Sequence, residues 1–112
     1  MKRKSFIYLA SPYSHPELAI QEHRFLDALD YTAEQSKKGE VIFSPIVNSH
    51  LLTQNHDLPS TWDFWCKIDY AFINQCLKVR VLKLEGWENS VGIKAELAYA
   101  ESIGKKVEYV DY

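Results

Sequence analysis

Four short apolar runs, each separated from the next by a segment of helical character, constrain this chain more than any other feature. Residues 5–10 carry Phe6, Ile7, Tyr8 and Leu9 in succession and stop at Ser11-Pro12; Val41-Ile42-Phe43 stops at Ser44-Pro45. Residues 79–84 run into Glu85-Gly86, and residues 107–110 close the series. The first run, short and apolar throughout, suits a strand buried on both faces, as in parallel sheets. Between them, residues 16–38 open on Pro16, carry Leu18, Ile20, Phe25, Leu26, Leu29 and Ala33, and stop at Gly39, which predicts one long amphipathic helix. Residues 61–75 form a second, aromatic helix, and a third runs from Ser90 to about Ile103, closed by Gly104. The polar stretch 46–60, rich in His and Asn, reads as a long loop of functional interest. The order β-α-β-α-β-α-β predicts a small doubly wound, flavodoxin- or Rossmann-like parallel sheet flanked by helices, with right-handed crossovers. Ligands of such folds collect at the carboxyl ends of the strands, which gathers residues 11–14, 44–50 and 85–90 on one edge.

Length and charge narrow the function. A chain of 112 residues fits one domain spanning residues 1–112. A net charge of -2 offers no broad basic field for a nucleic acid polymer, and the Met1-Lys2-Arg3-Lys4 start is too short to supply one. No apolar run approaches the roughly 20 residues of a membrane span, and no signal peptide core stands at the N-terminus, so the expectation is a cytoplasmic protein. Cys66 and Cys76 form no CxxC pattern and lie on or near one helix, which favours reduced, partly buried thiols. His50, His56 and Asp57 match no familiar ligand spacing, so neither metal nor cofactor is expected.

The chemistry concentrates in the stretch from Gly86 to Ala100, where a strand exit, a helix N-terminus and a carboxylate follow one another. Ser90 is a favoured N-cap, and a helix opening there turns free N–H groups and the positive end of its dipole toward any anion outside. A phosphate suits that position. Helical side chains lean toward the N-terminus, so Glu96 rises over Gly92, one turn earlier, where no side chain stands and a sugar ring can lie.

Tyr8-Leu9-Ala10-Ser11-Pro12-Tyr13 after the first strand and Gly86-Trp87…Ser90-x-Gly92-x-x-x-Glu96 after the third resemble the nucleoside 2-deoxyribosyltransferase-like superfamily over nearly the whole chain. Ser44-Pro45-Ile46, Ser49-His50 and Gly86-Trp87-x-x-Ser90-x-Gly92 are similar to an uncharacterised phage- and prophage-type subgroup. Characterised relatives move 2-deoxyribose between bases or release the base of deoxynucleoside 5'-monophosphates to water. The resemblance implies Glu96 as the nucleophile at the anomeric carbon and Tyr8 as the hydroxyl that orients it. It also implies Asp69 as the acid that holds the deoxyribose hydroxyl or assists base departure. Transferases acting on uncharged nucleosides tend to carry Asp where Ser90 stands, and the monophosphate glycosidases carry Ser. Ser90 with the N–H groups of Val91 and Gly92 therefore favours a monophosphate, Ser11 and Ser14 adding donors.

Ser11 departs from a family Gly, and Cys76-Leu77 from a small residue followed by Asp. Asn48 and His50 either contact the base or phosphate or stand exposed in the loop. Trp62 and Trp65 either stack a base or line the core or a subunit interface. The resemblance further implies a homodimer or larger homo-oligomer. The expected function is hydrolysis of the N-glycosidic bond of 2'-deoxynucleoside 5'-monophosphates through ionised Glu96. Base exchange and non-catalytic nucleotide sensing are the alternatives.

Overall fold

A computed structural model describes residues 6–112; the basic start and Ser5, which opens the first predicted strand, lie outside the described residues. Strands β1 (Ile7–Ala10), β2 (Ile42–Phe43), β3 (Lys78–Leu82) and β4 (Lys106–Val110) alternate with helices α1 (Leu18–Lys37), α2 (Pro45–His56), α3 (Trp62–Gln75) and α4 (Val91–Ser102). A single 3₁₀ turn, Trp87–Asn89, precedes α4. The sheet has the order β2-β1-β3-β4, and every pairing is parallel. This is the expected doubly wound α/β architecture.

The central strands β1 and β3 are buried because helices cover both faces of the sheet. Tyr8, Ala10, Val79 and Val81 point to one face and form a core with Ile73 of α3 and with Ile93 and Ala100 of α4. Leu9 and Leu82 point to the other face and pack with Tyr31 of α1 and with Leu84. The alternation within β1 thus turns Tyr8, fully buried, toward the layer of α3 and α4, the helices that carry Asp69 and Glu96.

One expectation is corrected. Residues 46–60 are not a long loop, because most of them belong to α2. The Ser44-Pro45 pair that ends β2 also starts this helix: the Ser44 hydroxyl accepts the Val47 N–H at 3.1 Å, and Pro45 occupies the first turn, where no N–H is needed. Asp57 ends the helix in the left-handed conformation. Apolar residues at Ile46, Val47, Leu51 and Leu52 give too weak a helical stripe for periodicity to reveal it.

Chain order and sheet order together create a crevice. The chain passes from β1 outward to β2, then crosses back over β1 to β3, so the segments leaving β1 and β3 diverge at their carboxyl ends.

Candidate functional site

The crevice is a cavity of about 420 Å³. Its walls include Ser11, Tyr13 and Ser14 after β1, Pro45 and Ile46 opening α2, Thr61 and Trp62 opening α3, and Ser90, Val91 and Gly92 opening α4. Three helix N-termini therefore border one space. The first N–H groups of each have no carbonyl within their own helix, and the aligned dipoles favour negative charge there. Ser90 caps α4 as expected, its hydroxyl accepting the Ile93 N–H at 3.1 Å.

Tyr8, Asp69 and Glu96 come from β1, α3 and α4 and meet at this cavity, which both acids line. The Tyr8 hydroxyl donates to Glu96 Oε2. Glu96 is 5% exposed and Asp69 8%, so neither is a solvated surface acid. Burial pushes the Glu96 carboxyl up to about 8, against the Tyr8 hydrogen bond that favours its ionised form, and the Asp69 charge adds to the rise. Burial likewise raises Asp69 to about 7, again opposed by Tyr8. Tyr8 itself is held well above the ordinary phenol range by burial and then by the two acids, so it remains a donor. Desolvation thus outweighs the Tyr8 hydrogen bond at both acids and opposes their ionisation near neutrality.

Gly92 lies beside Glu96 in the cavity wall, as the helical spacing implied. A Cβ there would lie 3.7 Å from Trp62 Cε3 and 3.8 Å from Ser90 Oγ, ordinary contacts, so the glycine leaves room for a ligand and is not required by the backbone. The Ser11 hydroxyl is 6% exposed as a residue, lines the same space and has no hydrogen-bond partner. A buried orphan hydroxyl facing a cavity is suited to a ligand polar atom.

Other anticipated residues are dispersed. Ser14 lines the cavity from an exposed position, and its carbonyl accepts from Arg24 Nη1 at 2.9 Å. Gly86 lies in a separate groove beside Arg24; with φ +89 and an added Cβ only 2.6 Å from Arg24 Nη2, its place is a turn requirement. Trp87 packs on the core and against Tyr109, with ring centroids 5.6 Å apart. Asn48 is exposed on α2. His50 is neither an exposed loop residue nor a lining one: it is 2% exposed, stacked on Phe25 at 3.8 Å and bonded to Tyr13 at 2.7 Å behind the cavity wall.

Trp62 and Trp65 both line the cavity, Trp65 while also buried and donating to the Pro59 carbonyl at 2.7 Å. Tyr13, Ser49 and Thr53 also line it; the first two fall in segments expected at the sheet edge, and only Thr53 carries no sequence signal. Tyr13 stands within the first motif, but Ser49 and Thr53 reach the site only because α2 exists. The two cysteines are not joined to each other: Cys76 is buried with its thiol donating to the Ile73 carbonyl at 3.1 Å, and Cys66 is partly buried. Among the described residues, no group of three or more His, Cys, Asp or Glu side chains is placed to hold a metal ion, and no helix is long and apolar enough to cross a membrane.

Fold and cavity define a small doubly wound α/β protein with a carboxylate-bearing crevice at its switch point. The chain belongs to the family described as a domain of unknown function, DUF1937, whose model matches residues 5–111. No curated protein matches it.

Proposed function

We propose that the protein is an N-glycosidase that hydrolyses 2'-deoxynucleoside 5'-monophosphates in the manner of deoxyribosyltransferase-like enzymes. One observation carries the reading: Glu96, tied to Tyr8, lines the same cavity as Gly92, the orphan Ser11 hydroxyl and the N-terminus of α4. In this reading the phosphate lies against Ser90 and the N–H groups of Val91 and Gly92, where helix dipole and donors favour it. The sugar occupies the space over Gly92, with its hydroxyl on Asp69. Ionised Glu96 attacks C1' as the C1'–N bond breaks; the bond pair leaves with the base, which takes up a proton. Water then displaces Glu96 from C1' and yields 2-deoxyribose 5-phosphate. Trp62 and Trp65 offer ring faces to the base. The resemblance that suggests this chemistry also suggests a homodimer or larger assembly, which sedimentation can measure.

The test is chromatographic detection of free base from a panel of deoxy- and ribonucleoside 5'-monophosphates and nucleosides. Release from deoxynucleoside monophosphates, lowered about 10³-fold or more by Glu96→Ala, is expected. No release from any member, with or without a second base as acceptor, would overturn the reading and leave nucleotide binding as the function to test.

A further inference from the structure

A second chain of polar side chains ends at the same cavity and plays no part in the chemistry above. Glu22 on α1 lies 3.2 Å from His50 Nε2, and its side chain is 50% exposed. His50 Nδ1 lies 2.7 Å from the Tyr13 hydroxyl, and Tyr13 lines the cavity. The imidazole is clamped against the Phe25 ring, with an interplanar angle of 13°. Carboxylate, buried imidazole and hydroxyl thus stand in line from solvent to cavity, the arrangement that holds an imidazole in one orientation and lets it exchange a proton with a hydroxyl.

We propose that Tyr13 is the acid–base group of this site, with His50 and Glu22 as the residues that position it and exchange its proton. The proposal rests on the glycosidase reading and supplies the proton that the departing base requires. In the imidazolium form, His50 donates from Nε2 to Glu22 and from Nδ1 to the Tyr13 oxygen, which turns the phenol O–H toward the cavity. As the C1'–N bond breaks and its electron pair passes to the base nitrogen, Tyr13 gives that nitrogen its proton and takes the Nδ1 proton. His50 is left neutral, with Nδ1 free to accept. When water attacks C1' and Glu96 departs, the water proton passes to Tyr13, and the Tyr13 proton returns to Nδ1. Every group is then back in its starting state. In a double displacement, water enters from the face the base has left, so one group serves both steps. Burial holds the Tyr13 phenol above its ordinary range, against the Thr53 hydrogen bond, so it is protonated and ready to donate.

The experiment compares two substrates in wild type, Tyr13→Phe, His50→Gln and Glu22→Gln: a deoxynucleoside 5'-monophosphate, and 4-nitrophenyl 2-deoxyribose 5-phosphate, whose leaving group departs as an anion. Tyr13→Phe should lower base release by about 100-fold and leave the first-turnover burst of 4-nitrophenolate near the wild-type rate, with later turnovers slowed because the attacking water has lost its base. His50→Gln and Glu22→Gln should show the same asymmetry to a smaller degree. Tyr13→Phe slowing the first turnover of both substrates equally, or of neither, would overturn the proposal while leaving the glycosidase reading intact. A wild-type protein inactive on both would overturn that reading and the proposal with it.

Discussion

A carboxylate kept from water is held at the expense of stability. Glu96 and Asp69 stay protonated in the fold at pH values where the unfolded chain has released both protons, since burial raises them to about 8 and about 7. A raised carboxylate costs nothing below its unfolded value, because both states are then protonated. The cost grows as pH rises and levels off above the folded value. Glu96→Gln, which retains an acceptor for Tyr8, should therefore stabilise the protein by on the order of 3 kcal/mol at pH 8 and by little at pH 4. Denaturant titrations at the two pH values measure this; a gain independent of pH would contradict it. The same groups shape activity. With ionised Glu96 as nucleophile, kcat/KM should rise with pH toward about 8, and Asp69→Asn, which removes a like charge, should move that rise to lower pH. A pH–rate profile of each protein checks the direction.

Helix openings are the elements that make the cavity polar without filling it with charge. Ser90 serves α4 as a cap and borders the ligand space, and Asp is an equally good cap. Ser90→Asp should leave the melting temperature unchanged but raise KM for a monophosphate by about 10-fold or more, because it sets a negative charge beside the phosphate. A nucleoside lacking the phosphate should not show this penalty. Ser44→Ala removes the α2 cap and should cost about 1 kcal/mol in denaturant unfolding. The α4 opening was legible in the sequence because cap, glycine and acid stand at fixed spacings within one element. The α2 opening was not, since Ser44-Pro45 also suits a strand exit and no apolar stripe comes after it. The buried position of His50 was hidden with it: only α2 packed on α1 brings this residue to Phe25 and Glu22. β1 was legible because double burial leaves it an uninterrupted apolar run, and the other strands because short runs of mainly β-branched residues stand between helical segments. The raised proton affinities of Glu96 and Asp69 were not, because desolvation depends on what three separate elements enclose.

At the scale of the whole molecule, the cavity exists because β1 lies between β2 and β3, and the sheet must hold that order. Arg80 on β3 helps to do so from the helical layer opposite Glu96. It binds Glu40 at 2.7 and 3.0 Å, Glu108 on β4 at 2.6 Å and the Tyr31 hydroxyl of α1 at 3.1 Å. The Arg80 hydrogen bonds hold the Glu40 carboxyl below its usual range. Burial works to raise Glu108, but Arg80 and Lys78 outweigh it and hold that carboxyl low too. Both acids therefore contribute stability above the unfolded value of about 4.3 that is lost as pH falls through their lower folded values. Glu108→Gln should destabilise the protein at pH 7 and narrow its difference from wild type as pH approaches 3, which thermal melts across that range would follow.

The most direct test of Glu96 as the nucleophile is stereochemical. With methanol present during turnover of a β-deoxynucleoside 5'-monophosphate, part of the sugar should be trapped as a methyl glycoside whose anomer is read by NMR. Displacement by Glu96 and then capture from the face the base has left predicts the β-methyl product, with configuration retained. An α-methyl product would mean that solvent attacks C1' directly, and Glu96 would not be the nucleophile.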